Sequence, residues 1–468
     1  MPSEPLSCND EDLSLRATLP RSTGLSLAVN AIPDAYLLID APHCAYRRLA
    51  YVQGNHDLES TLALVPGVPR VTNTELSPLK VIRNRDAELK EALTALASHP
   101  GAGVVLVDAV AMALITASDY GRICASVSEE TARPVLPVPH RSLTGDCLHA
   151  YAEVMEALAA GLPIEKRSGA GHKIAIVGLL WDRNEGDLRG NLSELQRIAA
   201  ALGLELVATW FSGHPTTDLL RVQEADLVVS LPHGRRAARE LSRRLGIPSI
   251  AAELPFGVSS TIRFVLSIGA ATGRFEAALA FVERELAEVL PRLKWVVPFA
   301  LLHRRLGYVG DPHLFRGMQE IAALLGCTLP FAAFTNVPAH ERASREVTAG
   351  LPDGIPIPED VCALAMLEPA KAPDTRLVYP HARELNDTLQ GLARARALDL
   401  LVTNSFGFLT DGIATVELGF PSYHTHALTD RPFLGMRGFL GLAERMVNAL
   451  RAFEVRSAQE RSRPRGPA

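Results

Sequence analysis

Two groups of residues in this chain have the types and placement to do chemistry. One is a single cysteine, Cys44, in the stretch Tyr36 to Asp57; the other is a run of polar and titratable side chains near the C-terminus, Tyr423, His424, His426 and Asp430. A thiol can bind a soft metal or reach a partner subunit, but a lone cysteine also serves as a small apolar filler. Histidine titrates near neutrality, so it can move a proton or hold a ligand, and an isolated surface histidine does neither. What these groups do therefore depends on where the fold sets them.

Tyr36-Leu37-Leu38-Ile39 is too short for a helix and apolar enough for a buried strand. It ends in the turn Ala41-Pro42-His43, which places Cys44 at a strand tip. The C-terminal group follows a strand ending at Asn404-Ser405 and a second strand whose Gly419-Phe420-Pro421 turn releases the histidines. Open α/β sheets bind ligands at such strand ends. Two further turns lead into helices. Thr144-Gly145-Asp146 and Phe256 to Thr261 can each offer backbone amides to a ligand or simply cap the helix that follows.

Strands and amphipathic helices alternate along most of the chain, with a helix near Arg85 to Ser98 and a strand at Val104 to Val107. Two segments, from Lys173 and from Trp295, share one pattern: strand, loop, Gly-Asp, helix, Gly, strand. Gly186-Asp187 pairs with Gly310-Asp311, and Gly203 with Gly326. The fold class is therefore α/β, with three Rossmann-like domains built on parallel, helix-covered sheets. They are expected at 30–165, 172–294 and 295–455, with a loose arm over 1–29, a linker before Lys173 and a flexible tail over 456–468. No GxGxxG follows either repeated strand, so dinucleotide binding is not indicated.

Composition narrows the function. With 468 residues, 47% hydrophobic and 21% charged, the chain can bury sizeable cores. A net charge of -5 with no dense basic stripe gives no reason to expect nucleic acid. The six cysteines, scattered and without a CxxC pair, read as reduced thiols of a cytoplasmic protein. No apolar run reaches the roughly 18 residues of a membrane span, and no signal sequence opens the chain.

From about Ala28 to Ala452 these motifs, in this order, resemble the nitrogenase component 1 family of nitrogenase α and β subunits, cofactor-assembly scaffolds and dark-operative tetrapyrrole reductases. The family's strand-to-cysteine turn is matched by Ile39 to Arg47 with Cys44, its Thr-Glu segment by Thr74-Glu75, and its Gly-Asp helix entry by Gly145-Asp146-Cys147. At the C-terminal end Asn404-Ser405, Gly419-Phe420-Pro421 and the segment Gly438 to Asn448 match in turn.

The resemblance implies an oxidoreductase subunit that pairs with a homologous component 1 subunit in a heterodimer or heterotetramer. It also implies electrons arriving from an ATP-dependent, P-loop iron protein through an interfacial iron-sulfur cluster. This chain has no GxxxxGK[ST] of its own. Family members with a large cluster use three cysteines per subunit, and the equivalents around Leu19 and around Pro139 or His140 carry none. Cys44 is thus implied as one metal ligand of a cluster, a 4Fe-4S type shared with a partner; His43, His140, Cys124 and Cys147 remain as further donors. His426 matches the histidine that holds the metallocofactor in nitrogenase α subunits, while the matching cysteine is replaced near Ser230. By the same resemblance His424, His426 and Asp430 line a substrate cavity as proton donors, and Asn404 and Ser405 bind the cofactor. An assembly scaffold and a cluster-free structural subunit are the alternative roles.

Overall fold

The computed structural model describes residues 19–43, 49–63, 69–81, 83–114, 118–141, 145–166, 171–336, 351, 356–378 and 380–462. Cys44 lies outside them, as do Thr144 and part of the expected linker. The described residues form three parallel sheets. The first contains β1 (Ala35–Asp40), β2 (Val71–Asn73), β3 (Val104–Ala109) and β4 (Val135–Pro137), in the order β2-β1-β3-β4. The second contains β5 (Lys173–Val177), β6 (Glu205–Thr209), β7 (Leu227–Ser230) and β8 (Ser249–Ala251), ordered β6-β5-β7-β8. The third adds β9 (Arg305–Gly310), β10 (Thr328–Phe334), β11 (Thr375–Val378), β12 (Leu400–Thr403) and β13 (Ala414–Glu417), ordered β11-β10-β9-β12-β13.

Central strands such as β1 and β3 are buried at every position, because helices cover both faces of a parallel sheet and leave no wet side for alternation. In each sheet the order reverses direction beside the first strand of the domain, which opens a crevice beyond the strands' C-terminal ends. The repeated segments end as expected: Gly203 and Gly326 follow their helices with φ of 69° and 66°. Their starts differ slightly. Glu185 precedes the helix Gly186–Ala201, whereas Asp311 itself caps Pro312–Leu324 by accepting from the His313 N–H at 2.8 Å.

The arm expected over 1–29 is shorter than that reading. Arg21–Asn30 is a helix with a buried face from Thr23 onward, packed on the helix Cys147–Gly161. Its apolar content is spread evenly around the axis, which hides the period that marks a surface helix. The expected tail is shorter too, since the last helix, Gly435–Ser462, runs past 455. No described helix is long and apolar enough to cross a membrane.

The second and third domains are joined by the helix Val258–Ala271, buried from Val258 to Gly269 and packed against Pro312–Leu324, Glu359–Ala365 and Gly435–Ser462. The small-residue turn before it is closed to ligands. Ser260 donates to Glu320 at 2.8 Å, and Thr261 donates to the carbonyl of Gly257 at 2.6 Å. Arg263 on the same helix contacts Glu320 and Glu253 at 2.7 Å each. Burial works against its charge, but the two carboxylates outweigh it and raise the guanidinium pKa above its ordinary value.

Removing that cation takes the shorter of two ion pairs from the buried Glu320 carboxylate and leaves it Arg316 at 3.2 Å and the Ser260 hydroxyl. Arg263→Met should destabilise the protein by about 3–5 kcal/mol, read as a lower guanidinium midpoint, and adding Glu320→Gln should restore most of the loss. An unchanged midpoint in Arg263→Met would show that the pair does not tie these domains together.

Candidate functional site

One cavity, open at its mouth, lies between the helices Arg21–Asn30 and Cys147–Gly161 of the first domain and the strand ends of the second and third. Its walls are mostly leucine and phenylalanine, among them Leu27, Leu179, Leu254 and Phe420. The polar groups that reach it are Cys147, Asp182, Asp311, Thr335 and Asn336. An apolar cleft with a few convergent polar groups is the form of a small-molecule or cofactor site. Burial, together with the Asp146, Asp311 and Asp182 carboxylates, raises the Cys147 thiol well above its ordinary pKa and keeps it protonated.

One side of the cavity is closed by the segment 417–434, which leaves β13 and docks on the second domain. Four contacts hold its turn from within the third domain, all on the Glu417 carboxylate: Ser405 Oγ at 2.5 Å, the N–H groups of Tyr423 and His424 at 3.2 Å, and Thr425 Oγ1 at 2.8 Å. The second domain grips the other edge. Arg183 donates to the Thr425 carbonyl at 2.9 Å; Glu185 accepts from His426 Nδ1 at 2.7 Å and from the Ala427 N–H at 2.8 Å. Asn191 accepts from the N–H groups of Phe433 and Leu434. Gly186 permits this approach, because a Cβ there would lie 2.3 Å from the Thr429 carbonyl oxygen. Burial alone would raise Glu185, but the His426 and Ala427 hydrogen bonds and the Arg183 charge prevail and lower its pKa.

These contacts locate the residues singled out from sequence. His424 stacks on Phe408 with ring centroids 5.0 Å apart, His426 is held by Glu185, and Asp430 makes an exposed 3.4 Å ion pair with Arg189. None of the three is among the cavity-lining residues, to which the same segment contributes Gly419, Phe420, Phe433 and Leu434. Asn404 is fully buried; its amide donates to the Phe420 carbonyl at 3.0 Å and accepts from the Phe406 N–H. Asn404 and Ser405 thus shape the Phe420-Pro421 turn, whose peptide bond is cis.

The residues that sequence reasoning passed over are those at the domain joints. His56 is fully buried. Its Nδ1 accepts from the Ser422 N–H at 2.9 Å, so the neutral ring carries its proton on Nε2, which donates to the Asp182 carbonyl at 3.0 Å. Asp57 beside it accepts from Asn30 Nδ2, the Asn184 N–H and Asn184 Nδ2 at 2.7–3.0 Å. A second missed group is His233, Asp311 and His313, whose ligand-type atoms lie within 4.8 Å of one another. Burial first, and the neighbouring His233 second, lower His313 to about 4, so it is a neutral imidazole near pH 7. The available signal was a polar residue just past an apolar strand, at Leu231-Pro232-His233 and Gly310-Asp311.

Around the β1 tip that leads to residue 44, Asp40 is fully buried and accepts from Thr74 Oγ1, Arg85 Nη1 and Tyr120 Oη at 2.5–2.7 Å. The region around Leu19 and Pro139, where the sequence has no cysteine, holds charges. Arg21 pairs with Asp108 at 2.6 Å and with Glu153, and donates to the Pro139 carbonyl. His140 lies 3.8 Å from Asp108; burial and then the Arg21 charge lower its pKa. His43 is exposed, 3.7 Å from Glu75. Cys124 is buried in the first domain's core and Cys327 donates to the Leu301 carbonyl, so among the described residues no thiols gather into a cluster site.

The family described as nitrogenase component 1 type oxidoreductase matches residues 22–451. The β chain of the nitrogenase iron-iron protein of Rhodobacter capsulatus is 26% identical over 220 residues, 46% of this chain and 43% of that protein. One of the chains of the light-independent protochlorophyllide reductase of Chlorobium phaeovibrioides is 24% identical over 258 residues, 52% of this chain and 45% of that protein. The matched region thus spans less than half the length of these two relatives. The solved structure "Nitrogenase Cp1 at pH 6.5" superposes with a TM-score of 0.72, covering 100% of this chain and 98% of that one at 16% identity, which is a likeness of fold.

The Glu185 contact gives the cavity wall a pH dependence. A carboxylate with a lowered folded-state pKa contributes stability that is complete above its unfolded value of about 4.3 and is lost as pH falls through the folded value. The protection factor of the Ala427 amide, its exchange rate corrected for the intrinsic pH dependence, should therefore fall in wild type over that acidic range, whereas Glu185→Gln should show low protection already at neutral pH and no acid step. Equal protection in both proteins at pH 7 would remove Glu185 from the docking contact.

Proposed function

Because the chain belongs to the nitrogenase component 1 type oxidoreductase family, we propose that it is one subunit of a nitrogenase-like two-component reductase. An ATP-hydrolysing iron protein delivers electrons through an iron-sulfur cluster shared with a homologous subunit, and the substrate or its cofactor occupies the cavity between the three domains. The observation that carries this reading is that cavity: apolar walls, a handful of polar groups, and contributions from all three domains.

The donor set tests the cluster. A four-iron cluster takes about four protein ligands, usually thiolates, and the described residues bring no thiols together. Among the described residues no cluster site is complete, so we assign this chain one share of a cluster at an interface. Cys44 is the proposed ligand, and a 4Fe-4S type is the proposed cluster. When bound, such a group supplies electrons one at a time.

The chain's own residues do the rest. The buried Asp40 and the Arg21, Asp108 and Glu153 ion cluster fix the strand ends of the first domain. Leucine and phenylalanine walls exclude water from the cavity. His426, oriented by Glu185 at Nδ1 but set behind the cavity wall, is assigned to proton supply through an intervening water and not by direct contact with the substrate. His424 and Asp430 hold the same segment through Phe408 and Arg189, and Asn404 and Ser405 position its turn.

Co-expressed with its homologous partner and purified without oxygen, the complex should contain iron and sulfide in cluster proportion, while this chain alone should be nearly free of sulfide. Cys44→Ala should remove the cluster's paramagnetic signal from the complex; a full iron content in that variant would overturn the ligand assignment. His426→Gln should keep the signal and lower turnover by about 100-fold or more, and unchanged turnover across pH 6 to 8 would return His426 to a structural role.

A further inference from the structure

We propose that His233, Asp311 and His313 form a binding site for one divalent transition-metal ion, which joins the second domain to the third at the cavity edge. Each residue follows a parallel strand at its C-terminal end. His233 sits in the short turn Pro232–Gly234 after β7, and Asp311 and His313 open the helix after β9. The turn is pulled against β5 because Gly234 has no side chain; a Cβ there would lie 2.4 Å from the Val177 carbonyl oxygen. His233 is thereby pressed into the joint, 3% exposed, with its ring edge-on to His313 at a centroid distance of 4.7 Å.

Two independent observations point to a ligand. The three donor atoms already lie within 4.8 Å of one another. His233 Nε2 is buried with no hydrogen-bond partner: its nearest carboxylate oxygen, Asp311 Oδ2, is 3.6 Å away, too far for a hydrogen bond. Asp311 uses Oδ1 to cap its helix through the His313 N–H, so Oδ2 is the oxygen turned toward the imidazole. A buried imidazole nitrogen whose one facing carboxylate oxygen stands 3.6 Å off, beyond good hydrogen-bond length, is under-satisfied and asks for an ion, a water or a ligand between the two.

The donor set selects the class of ion. Two imidazoles and one carboxylate suit zinc, ferrous iron, cobalt or nickel, and are poor in the oxygen ligands that calcium and magnesium need. Bond lengths of about 2.0–2.2 Å require the three atoms to draw closer than they lie here, a movement within reach of side-chain rotation. Three protein ligands leave a coordination position open, and Asp311 lines the cavity, so the open position is offered to whatever occupies it. This site needs no partner subunit and no iron-sulfur cluster.

The test uses the full chain, reduced, stripped with a chelator and titrated with cobalt(II) without oxygen. One equivalent should bind at micromolar affinity or tighter, with visible ligand-field bands and no thiolate-to-cobalt charge-transfer band, and the thermal midpoint should rise with cobalt. Asp311→Asn, which preserves the helix cap, and His233→Gln should each weaken that equivalent by about 100-fold or more while leaving the metal-free near-ultraviolet dichroism unchanged. Should His233→Gln misfold, Asp311→Asn alone decides. Absence of a tight equivalent, equal affinity in Asp311→Asn, or a thiolate band placing the metal on cysteine would each overturn the proposal.

Discussion

The architecture turns on a pair of adjacent buried polar residues, His56 and Asp57, where the three domains meet. Asp57 takes hydrogen bonds from Asn30 in the first domain and Asn184 in the second, and His56 spans from Asp182 in the second to Ser422 in the third. Groups this deeply buried are costly unless every partner is supplied, so the joint tolerates few arrangements. That demand fixes register between domains, which apolar packing alone leaves loose. The cavity follows from it: its walls come from all three domains and keep their spacing only while the joint holds.

Much of the fold was legible because its signals are local. Continuous apolar runs such as Val104 to Val107 and the Gly-Asp to Gly repeat specify strand, helix and turn within a few residues of one another. The buried helix Arg21–Asn30 was not legible, since an element covered on all sides loses the period that reveals a surface helix. The site was less legible still. His424, His426 and Asp430 sit on the right segment, yet the side chains facing the cavity from it are Phe420, Phe433 and Leu434. Which face of an irregular segment turns inward is set by its partners, here Glu417, Arg183 and Glu185, and two of those lie more than two hundred residues away in sequence.

An ion cluster braces the first domain near Leu19 and Pro139, the two places where no cysteine was found beside Cys44. Arg21 binds Asp108 and Glu153 and reaches the Pro139 carbonyl. Such a cluster ties the helices Arg21–Asn30 and Cys147–Gly161 to β3 through directional ionic hydrogen bonds. That end of the first domain is thus braced by its own side chains.

The segment that closes the cavity, 417–434, runs on from the end of the last strand of the three sheets, so it leaves the ribosome after the elements it covers. Domains emerge in order and begin to fold as they appear, so the first two sheets exist for a time with an uncovered apolar crevice. Only when the Phe433 and Leu434 amides reach Asn191 does that crevice gain its wall. A bulky occupant that cannot pass the finished mouth therefore has a natural interval for entry during biosynthesis, and the chain's own C-terminal stretch sets when that interval ends.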